Sequence, residues 1–360
     1  WTFSLAILML GLSAGFLGSF AEKIGPKKSG LLAMLFWVTG LLGTAYALSI
    51  HNLTLLYLFY GIIGGIGLGI GYITPVSTLV KYFPNRPGFA TGLAIMGFGF
   101  ASLIAGPLMQ YLVAQVGLVD TFIILGVIYL VIMGASSLYL KAPQPKHSTR
   151  TTKDRSTMYV HTHGMLANDA MKTWQFGALW WVFFINITCG IGLLSLASPM
   201  AQEAIGMTPA AAASLVGIIG IFNGGGRIAW STISDYLGRA QTYILFFMIE
   251  IVAFYLLAQT NSALTFQILI LLIITCYGGG FSCMPAYLAD LYGIRQLSTI
   301  HGRILTAWGL AGIAGPMLVS YFHEVGYGYA TALECFAALF VLNTIIAIVL
   351  KLYGKRELHN

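Results

Sequence analysis

Residues 222–239, FNGGGRIAWSTISDYLGR, decide how the rest of the chain is interpreted. The apolar part of this stretch carries one arginine, Arg227, and is followed by a turn that contains Asp235, Gly238 and Arg239. If the stretch is a helix in a membrane, Arg227 lies about two turns, or roughly 12 Å, from Asp235. That depth is near the middle of a hydrocarbon layer about 30 Å thick. A guanidinium keeps its charge there, so it requires an anion, another partner or water.

The composition is typical of a membrane protein with many spans. Only 8% of the 360 residues are charged, 58% are hydrophobic, and the mean hydropathy is +0.84. A soluble protein of this size needs a far more charged surface. The cysteines lie in apolar runs without metal-ligand spacing, so we expect no metal and no cofactor. The net charge of +7 does not require a nucleic-acid partner, because the position of the charges matters more than their sum.

Eleven hydrophobic runs are each long enough to cross a bilayer. Five precede the polar segment 141–172, and six follow it. We therefore predict an all-α polytopic membrane protein. The runs are 2–21, 31–50, 53–80, 88–116, 119–140, 174–200, 208–234, 242–259, 264–287, 298–322 and 328–350.

The basic residues predict the orientation of the spans. Of the 18 lysines and arginines, all except Arg227 fall in alternate connections between the runs, so they lie on one side of the membrane. The positive-inside rule makes that side cytoplasmic. We therefore expect a protein of the cytoplasmic (inner) membrane, with the central loop and the C-terminus in the cytoplasm.

Two motifs recur at nearly the same offset along the chain. IAGP at 104–107 returns at 313–316, and a charged glycine loop near residue 22 returns near residue 235. Such repetition indicates a duplicated six-helix unit, related by an axis along the membrane normal. Relative to the second copy, the first lacks about one helix and one loop, so we expect a twelve-helix protein. The loop residues are Gly18, Glu22, Lys23 and Gly25 in one copy and Asp235, Gly238 and Arg239 in the other.

The loop signature, the two repeats and the long central loop resemble the major facilitator superfamily. The resemblance covers essentially the whole chain and implies the major facilitator fold, two six-helix bundles. In this family the charged loop gates one conformation, so the resemblance implies a gating role for the seven loop residues. The implied domains are an N-terminal bundle at 1–140, a cytoplasmic loop at 141–173, a C-terminal bundle at 174–350 and a cytoplasmic tail at 351–360.

Three stretches look like the oxalate/formate antiporter family. They are GLGIGY at 67–72 continuing to KYFP at 81–84, NGGGR at 223–227, and residues 281–285 leading into DLYG at 290–293. Neighbouring monocarboxylate transporters share an arginine four residues after an acid, and here Asn223 replaces that acid. The resemblance implies that Arg227 binds a substrate carboxylate and that Tyr72 lines the pocket. The antiporter has a pocket lysine where this chain has Trp308, which favours a monocarboxylate, although a segment before Trp1 can supply a second cation.

Four of the residues in the predicted substrate site have an alternative, structural interpretation. Arg227 could instead be a structural arginine, Tyr72 a packing residue, and Phe281 and Trp308 core residues rather than cavity walls. Asn223 lies one turn from Arg227, so it can orient the guanidinium. Glu250 lies mid-span, where we expect it to pair or to snorkel rather than to couple transport. The predicted site residues are Arg227, Tyr72, Asn223, Phe281 and Trp308.

The leading prediction is a secondary active transporter of small organic anions that works by alternating access. Its substrate is a mono- or dicarboxylate such as formate, oxalate, lactate or pyruvate, and a proton or a counter-anion accompanies it. We expect a monomer in the lipid bilayer. The alternatives are a transporter of an unrelated solute, such as a sugar or drug, and a transport-dead membrane sensor. An enzyme is not expected, because no catalytic constellation lies within the spans. The sequence leaves open which carboxylate is carried and whether antiport or proton symport drives it.

Overall fold

The computed structural model describes residues 1–142 and 164–354, and all regular elements in this part of the chain are helical. Ten helices there are long and apolar enough to cross a membrane. The predicted all-α membrane fold is therefore confirmed. Most of the predicted central loop and residues 355–360 of the tail lie outside the described residues. The ten helices are α1 (Thr2–Ile24), α2 (Pro26–Ser49), α3 (Leu53–Tyr82), α4 (Pro87–Tyr139), α5 (Trp174–Glu203), α6 (Pro209–Leu237), α7 (Arg239–Gln259), α8 (Ala263–Tyr292), α9 (Leu297–Glu324) and α10 (Gly328–Tyr353).

Helix α4 contains two spans. A straight helix of 53 residues would be about 80 Å long, more than twice the thickness of a hydrocarbon layer of about 30 Å. Gly117 interrupts it with φ 82° and ψ 174°, a conformation that suits glycine and is not helical. The interruption falls between the predicted runs that end at 116 and begin at 119. The eleven predicted spans are therefore all present among the described residues.

The two loops that the internal repeat relates are built alike. Gly25 separates α1 from α2 with φ 82°, and Gly238 separates α6 from α7 with φ 94°. In both loops the acid stands in the last turn of the preceding helix, three residues before the glycine. The chain therefore turns at the same place in both copies of the repeat.

The structure divides into two compact units, and each unit draws on both halves of the sequence. The first contains Trp1–Pro87, Leu108–Phe176 and Tyr287–Gly309. The second contains Gly88–Pro107, Gly177–Ala286 and Leu310–Asn360. Helices α4, α5, α8 and α9 therefore each contribute residues to both units. The domain boundaries drawn from the sequence, with bundles at 1–140 and 174–350, stay a prediction.

Glycines bring α1 and α9 into backbone contact in the first unit. A Cβ on Gly11 would lie 2.6 Å from the backbone oxygen of Leu305, and a Cβ on Gly302 would overlap the backbone oxygen of Ala14. Any larger residue at these positions must therefore push the helices apart. This α1–α9 seam consists of Gly11, Gly15 and Gly18 on one helix and Gly302 and Gly309 on the other.

A second seam joins α4 to α6 in the second unit. A Cβ on Gly92 would lie 2.8 Å from the backbone oxygen of Arg227, and a Cβ on Gly99 would overlap the backbone of Gly224. Because the contact includes the peptide group of Arg227, the seam fixes the height at which this arginine lies along α4. This α4–α6 seam consists of Gly88, Gly92 and Gly99 on α4 with Gly224 and Ser231 on α6.

Substituting Gly302 with valine is expected to lower the thermal stability of the purified protein. The new side chain meets the backbone oxygen of Ala14, which cannot rotate away, and overpacking of this kind typically costs about 1–3 kcal/mol. Thermal unfolding in detergent measures the effect. Gly177→Ala is the matched control, because a Cβ at Gly177 has open space around it. Equal unfolding temperatures for Gly302→Val and the wild type would show that the seam is not tightly packed.

Candidate functional site

Arg227 lies within α6 and is only 4% exposed. Its Nε donates a hydrogen bond of 3.1 Å to Oδ1 of Asn223, and its Nη1 donates one of 3.4 Å to the backbone oxygen of Ile95. The guanidinium carbon stands 4.9 Å from the centre of the Phe281 ring, within the range of a cation–π contact. The contact expected between Asn223 and Arg227 is therefore present, and it holds the guanidinium against the face of an aromatic ring.

The glycines that precede Arg227 allow α4 and α8 to approach α6 closely. A Cβ on Gly226 would lie 2.5 Å from the backbone oxygen of Thr275 on α8. A Cβ on Gly224 would lie 2.8 Å from the ring of Phe100 on α4. In addition, the hydroxyl of Ser282 on α8 donates a hydrogen bond of 2.7 Å to the backbone oxygen of Arg227. Three helices thus fix the arginine in place.

Aromatic side chains surround the charged group. The ring of Phe281 is fully buried and lies 5.1 Å from the ring of Phe183 on α5, measured between centroids. The ring of Tyr277 lies 5.5 Å from that of Phe281, also measured between centroids. Such a wall keeps water away, and a lower local dielectric strengthens any ionic contact that Arg227 makes.

Tyr72 and Trp308 contact each other in the first unit. Their ring centroids are 5.2 Å apart with an edge-on arrangement, and both side chains are buried. A third ring, that of His301, lies 5.8 Å from Tyr72. Tyr72 comes from α3, whereas His301 and Trp308 come from α9, two turns apart on one helix face.

The five predicted site residues therefore form two groups. Arg227, Asn223 and Phe281 are in contact within the second unit, and Tyr72 and Trp308 are in contact within the first. Their role in binding a substrate stays a prediction.

The first charged loop joins three helices. The carboxylate of Glu22 accepts a 3.2 Å contact from Nζ of Lys81 on α3 and a 3.3 Å hydrogen bond from the hydroxyl of Thr299 on α9. Gly18, one turn earlier, lies against the backbone of α9, whereas Lys23 points to the surface. We call Glu22, Lys81 and Thr299 the Glu22 cluster.

The second charged loop makes stronger contacts. The two carboxylate oxygens of Asp235 accept hydrogen bonds of 2.9 Å from the backbone N–H groups of Gly88 and Phe89, the first residues of α4. Arg239 pairs with the same carboxylate at 2.6 Å, and it also donates to the hydroxyl of Ser234. Both partners of the ion pair have only 6% of their side chains exposed. We call Asp235, Arg239, Ser234, Gly88 and Phe89 the Asp235 cluster.

The Glu22 cluster and the Asp235 cluster have the same arrangement of an acid and a helix start. In each, an acid at the end of one helix binds the first turn of a helix from the other half of the sequence. A carboxylate is favoured there because a helix N-terminus presents unpaired N–H groups and a partial positive charge. Sequence reasoning named the acids but not the helices that donate hydrogen bonds to them. The repeat offered a signal, since the start of α9 follows the start of α4 at nearly the offset that relates the two loops.

The environment of Glu250 differs from the one that the sequence led us to expect. Its side chain on α7 is 1% exposed, and its Oε2 has no hydrogen-bond partner among the described residues. We expected this carboxylate to pair or to snorkel; the snorkelling part is wrong, because the side chain is buried, and no ion pair of Glu250 occurs among the described residues. His301 is a second buried polar group, and sequence reasoning did not single it out at all.

Known proteins support the interpretation of the fold. The family model of the Major Facilitator Superfamily matches residues 1–316 and 183–357. The chain is 30% identical, over 86% of its length and 76% of the relative's, to an uncharacterised MFS-type transporter of Escherichia coli, YhjX. It is 25% identical to the oxalate:formate antiporter of Oxalobacter formigenes, over 88% of this chain and 73% of that protein.

Solved structures lead to the same fold. The crystal structure of the human organic anion transporter MFSD10 superposes with a TM-score of 0.76 at 15% sequence identity. The alignment covers 96% of this chain and 82% of that one. Together with the helices and the repeated loops, the matches establish that this integral membrane protein belongs to the major facilitator superfamily and is a transporter.

Proposed function

We propose that this protein is a secondary transporter of small organic anions, which carries carboxylates by alternating access. The observation that supports the proposal best is Arg227, a permanently charged side chain buried in the middle of a span. A guanidinium there can bind a carboxylate through two parallel hydrogen bonds. An oxalate:formate antiporter and an organic anion transporter are among the similar proteins, which agrees with an anionic substrate.

The environment of Arg227 suits a small anion. Asn223 holds Nε, so the guanidinium has one fixed orientation, and Phe281 covers one of its faces. Preorganised donors in an apolar surrounding bind charge without having to rearrange. A sugar would require several neutral hydrogen-bonding groups instead, and an aromatic wall does not supply them.

Trp308 favours a monocarboxylate over a dianion. It stands where the resemblance places a pocket lysine, and an indole has no charge with which to neutralise a second carboxylate. Trp308 and Tyr72, whose rings are in contact, then act as an aromatic wall.

The two charged clusters stabilise one conformation in this proposal. They tie the first turns of α4 and α9 to the opposite sequence half on the side that carries the lysines and arginines. By the positive-inside rule this side is the cytoplasm. The transporter then acts as a monomer in the cytoplasmic membrane, and the clusters break when the cytoplasmic side opens.

Counterflow in proteoliposomes tests the proposal. Vesicles loaded with unlabelled oxalate, formate, lactate or pyruvate are diluted into a trace of the same labelled compound. We expect transient accumulation of label for at least one monocarboxylate, and no accumulation in vesicles without protein. Accumulation of a labelled sugar but of none of the four carboxylates would contradict the proposal.

Replacing Trp308 with lysine is expected to shift selectivity towards oxalate. The added cation can neutralise the second charge of a dianion, and hydrogen bonds to charged groups contribute about 1.5–3 kcal/mol, or roughly 10- to 150-fold in affinity. Competition of oxalate against lactate in the counterflow assay measures the shift. Trp308→Phe is the matched control, because it keeps the aromatic contact with Tyr72 and adds no charge. An unchanged preference in Trp308→Lys would place Trp308 outside the pocket.

A further inference from the structure

Asn223 has one half of its carboxamide engaged and the other half available. It lies one turn before Arg227 on α6, and only 9% of the residue is exposed. Its Oδ1 accepts the 3.1 Å hydrogen bond from Nε of Arg227. A guanidinium can only donate, so the oxygen must face it, and Nδ2 is turned away from Nε. Nδ2 has no acceptor among the described residues, so a nine-tenths buried NH₂ group is left with hydrogen bonds to donate.

Three polar side chains near Arg227 on α6 and α8 are engaged within the protein. The hydroxyls of Ser282 and Ser231 both donate to the backbone oxygen of Arg227. The indole N–H of Trp230 donates a 3.3 Å hydrogen bond to a threonine hydroxyl on α8. A donor that is already bonded gains little by turning to a ligand, because it must first give up its partner. The amide of Asn223 differs from these groups, since its NH₂ group gives up nothing.

Aromatic rings form much of the remaining surroundings of the guanidinium. The ring of Phe281 covers one of its faces at 4.9 Å, and the ring of Phe183 lies 5.1 Å from that of Phe281, centroid to centroid. A polar group of a ligand that is placed against these rings loses its water and gains no hydrogen bond. The α-carbon of a carboxylic acid is one bond from the carboxylate, so an oxygen on that carbon must also lie close to the guanidinium. Within the second unit, the NH₂ group of Asn223 provides a donor at that place.

We propose that Nδ2 of Asn223 donates a hydrogen bond to an oxygen on the α-carbon of the substrate, and that it makes the protein selective for 2-oxo and 2-hydroxy monocarboxylates. This inference rests on the proposed function. Carbonyl and hydroxyl oxygens both accept, whereas a methylene group in their place leaves Nδ2 buried without a partner. A site that hydrogen-bonds a substrate oxygen discriminates strongly against an analogue that lacks it, because the unpaired group of the site is costly. Asn223 then has two roles, since Oδ1 orients Arg227 and Nδ2 recognises the α-oxygen.

Pyruvate and propionate form the matched pair of ligands that tests this role. Both are monocarboxylates of the same chain length that are ionised at about pH 7, and they differ at the α-carbon, which carries an oxygen only in pyruvate. Each is added unlabelled to the counterflow assay, together with the labelled carboxylate that gives the largest signal, and the concentration that halves the accumulation is measured. For the wild type we expect pyruvate to be roughly 5- to 150-fold more effective than propionate, which is the effect of leaving one buried donor unpaired.

Two variants of Asn223 remove the donor in different ways. Asn223→Asp keeps an oxygen for Nε of Arg227 and loses the NH₂ group, whereas Asn223→Leu loses both. Each should bind carboxylates more weakly, because the aspartate competes for the guanidinium and the leucine leaves it unoriented. The preference for pyruvate over propionate should fall to within about twofold of none. If Asn223 only orients the guanidinium, the affinities for both ligands fall together and the preference stays.

Two further asparagines provide matched controls. Asn186 on α5 is fully buried against Gly280 of α8, and its amide makes no hydrogen bond to Arg227, so Asn186→Leu repeats the substitution at a buried position. Asn261 is exposed in the loop between α7 and α8, so Asn261→Leu repeats it at the surface. Both variants should keep the wild-type preference for pyruvate.

Propionate that competes as well as pyruvate on the wild type would overturn this inference and leave the proposed function intact. An unchanged preference in either Asn223 variant would overturn it as well, because the α-oxygen would then be recognised elsewhere. Loss of the preference in Asn186→Leu would also count against it, since the selectivity would then reflect the packing of the second unit. Absence of counterflow in the wild type for every carboxylate would instead refute the proposed function.

Discussion

Replacing Arg227 with leucine is expected to abolish carboxylate binding. An ionised carboxylate that leaves water for a mid-membrane site incurs a desolvation cost of several kcal/mol, and the fixed guanidinium offsets it. Truncating one partner of a buried charged contact typically costs about 2–5 kcal/mol, or roughly 30- to 5,000-fold in affinity. Equilibrium binding of the labelled carboxylate to purified protein measures the loss.

The lysine variant refines this expectation. Arg227→Lys keeps the positive charge but loses the planar fork, and it also loses the hydrogen bond from Nε to Asn223. We therefore expect weak binding, between that of the wild type and that of the leucine variant. A structural arginine would give a different result, since both variants would then unfold at lower temperature with no separate effect on affinity.

Arg295→Leu is the matched control for Arg227→Leu. Arg295 is exposed in the loop between α8 and α9, so the same substitution there removes one charge without touching the site. Its affinity should equal that of the wild type. If correctly folded Arg227→Leu also binds carboxylate as tightly as the wild type, the anion-transporter proposal loses its main support.

Replacing Asp235 with asparagine is expected to slow transport strongly while leaving binding largely intact. The carboxylate accepts from two backbone N–H groups of α4 and from Arg239, whereas an asparagine amide offers one acceptor oxygen. Hydrogen bonds to charged groups contribute about 1.5–3 kcal/mol each, so the conformation that the Asp235 cluster stabilises should become roughly 10-fold or more rarer. Each exchange cycle passes through that conformation, so the rate of transport falls.

Initial rates of counterflow and substrate affinity, measured on the same preparation, distinguish the two effects. Asp169→Asn is the matched control. Asp169 pairs with Lys172 at 3.3 Å, but their side chains are 55% and 77% exposed, and exposed pairs of this kind contribute little. Turnover at the wild-type level in Asp235→Asn would mean that the loop is an ordinary capped turn.

Much of the fold follows from the sequence. Hydrophobic run length alone predicts the eleven spans, because a bilayer requires about 20 apolar residues of each helix. Even the division of the 53-residue helix α4 was predictable, since Gly117 falls where two apolar runs meet. The contact between Arg227 and Asn223 was also predictable from the sequence, because residues four apart share a helix face.

Other features could not be derived from the sequence. The groups that donate hydrogen bonds to Asp235 are backbone N–H groups of Gly88 and Phe89, and no residue pattern marks which helix start lies beside which acid. Glu250 is a charged residue within an apolar run, and its burial depends on how tightly α7 packs against its neighbours. His301 is an ordinary histidine in an apolar run until the structure shows both ring nitrogens unbonded among the described residues.

The two glycine seams have a consequence for how fast the helices can separate. Side chains that interlock lose rotamer freedom when they pack and must find the same rotamers again each time. Glycine has no rotamers to lose, and the peptide groups on both sides of a seam are already bonded within their own helices. Closing and opening such a contact therefore freezes and releases little side-chain entropy at the contact itself. We expect the barrier to movement along the α1–α9 and α4–α6 seams to come from the charged clusters at their ends, and the seams themselves to separate on the timescale of rigid helix motions.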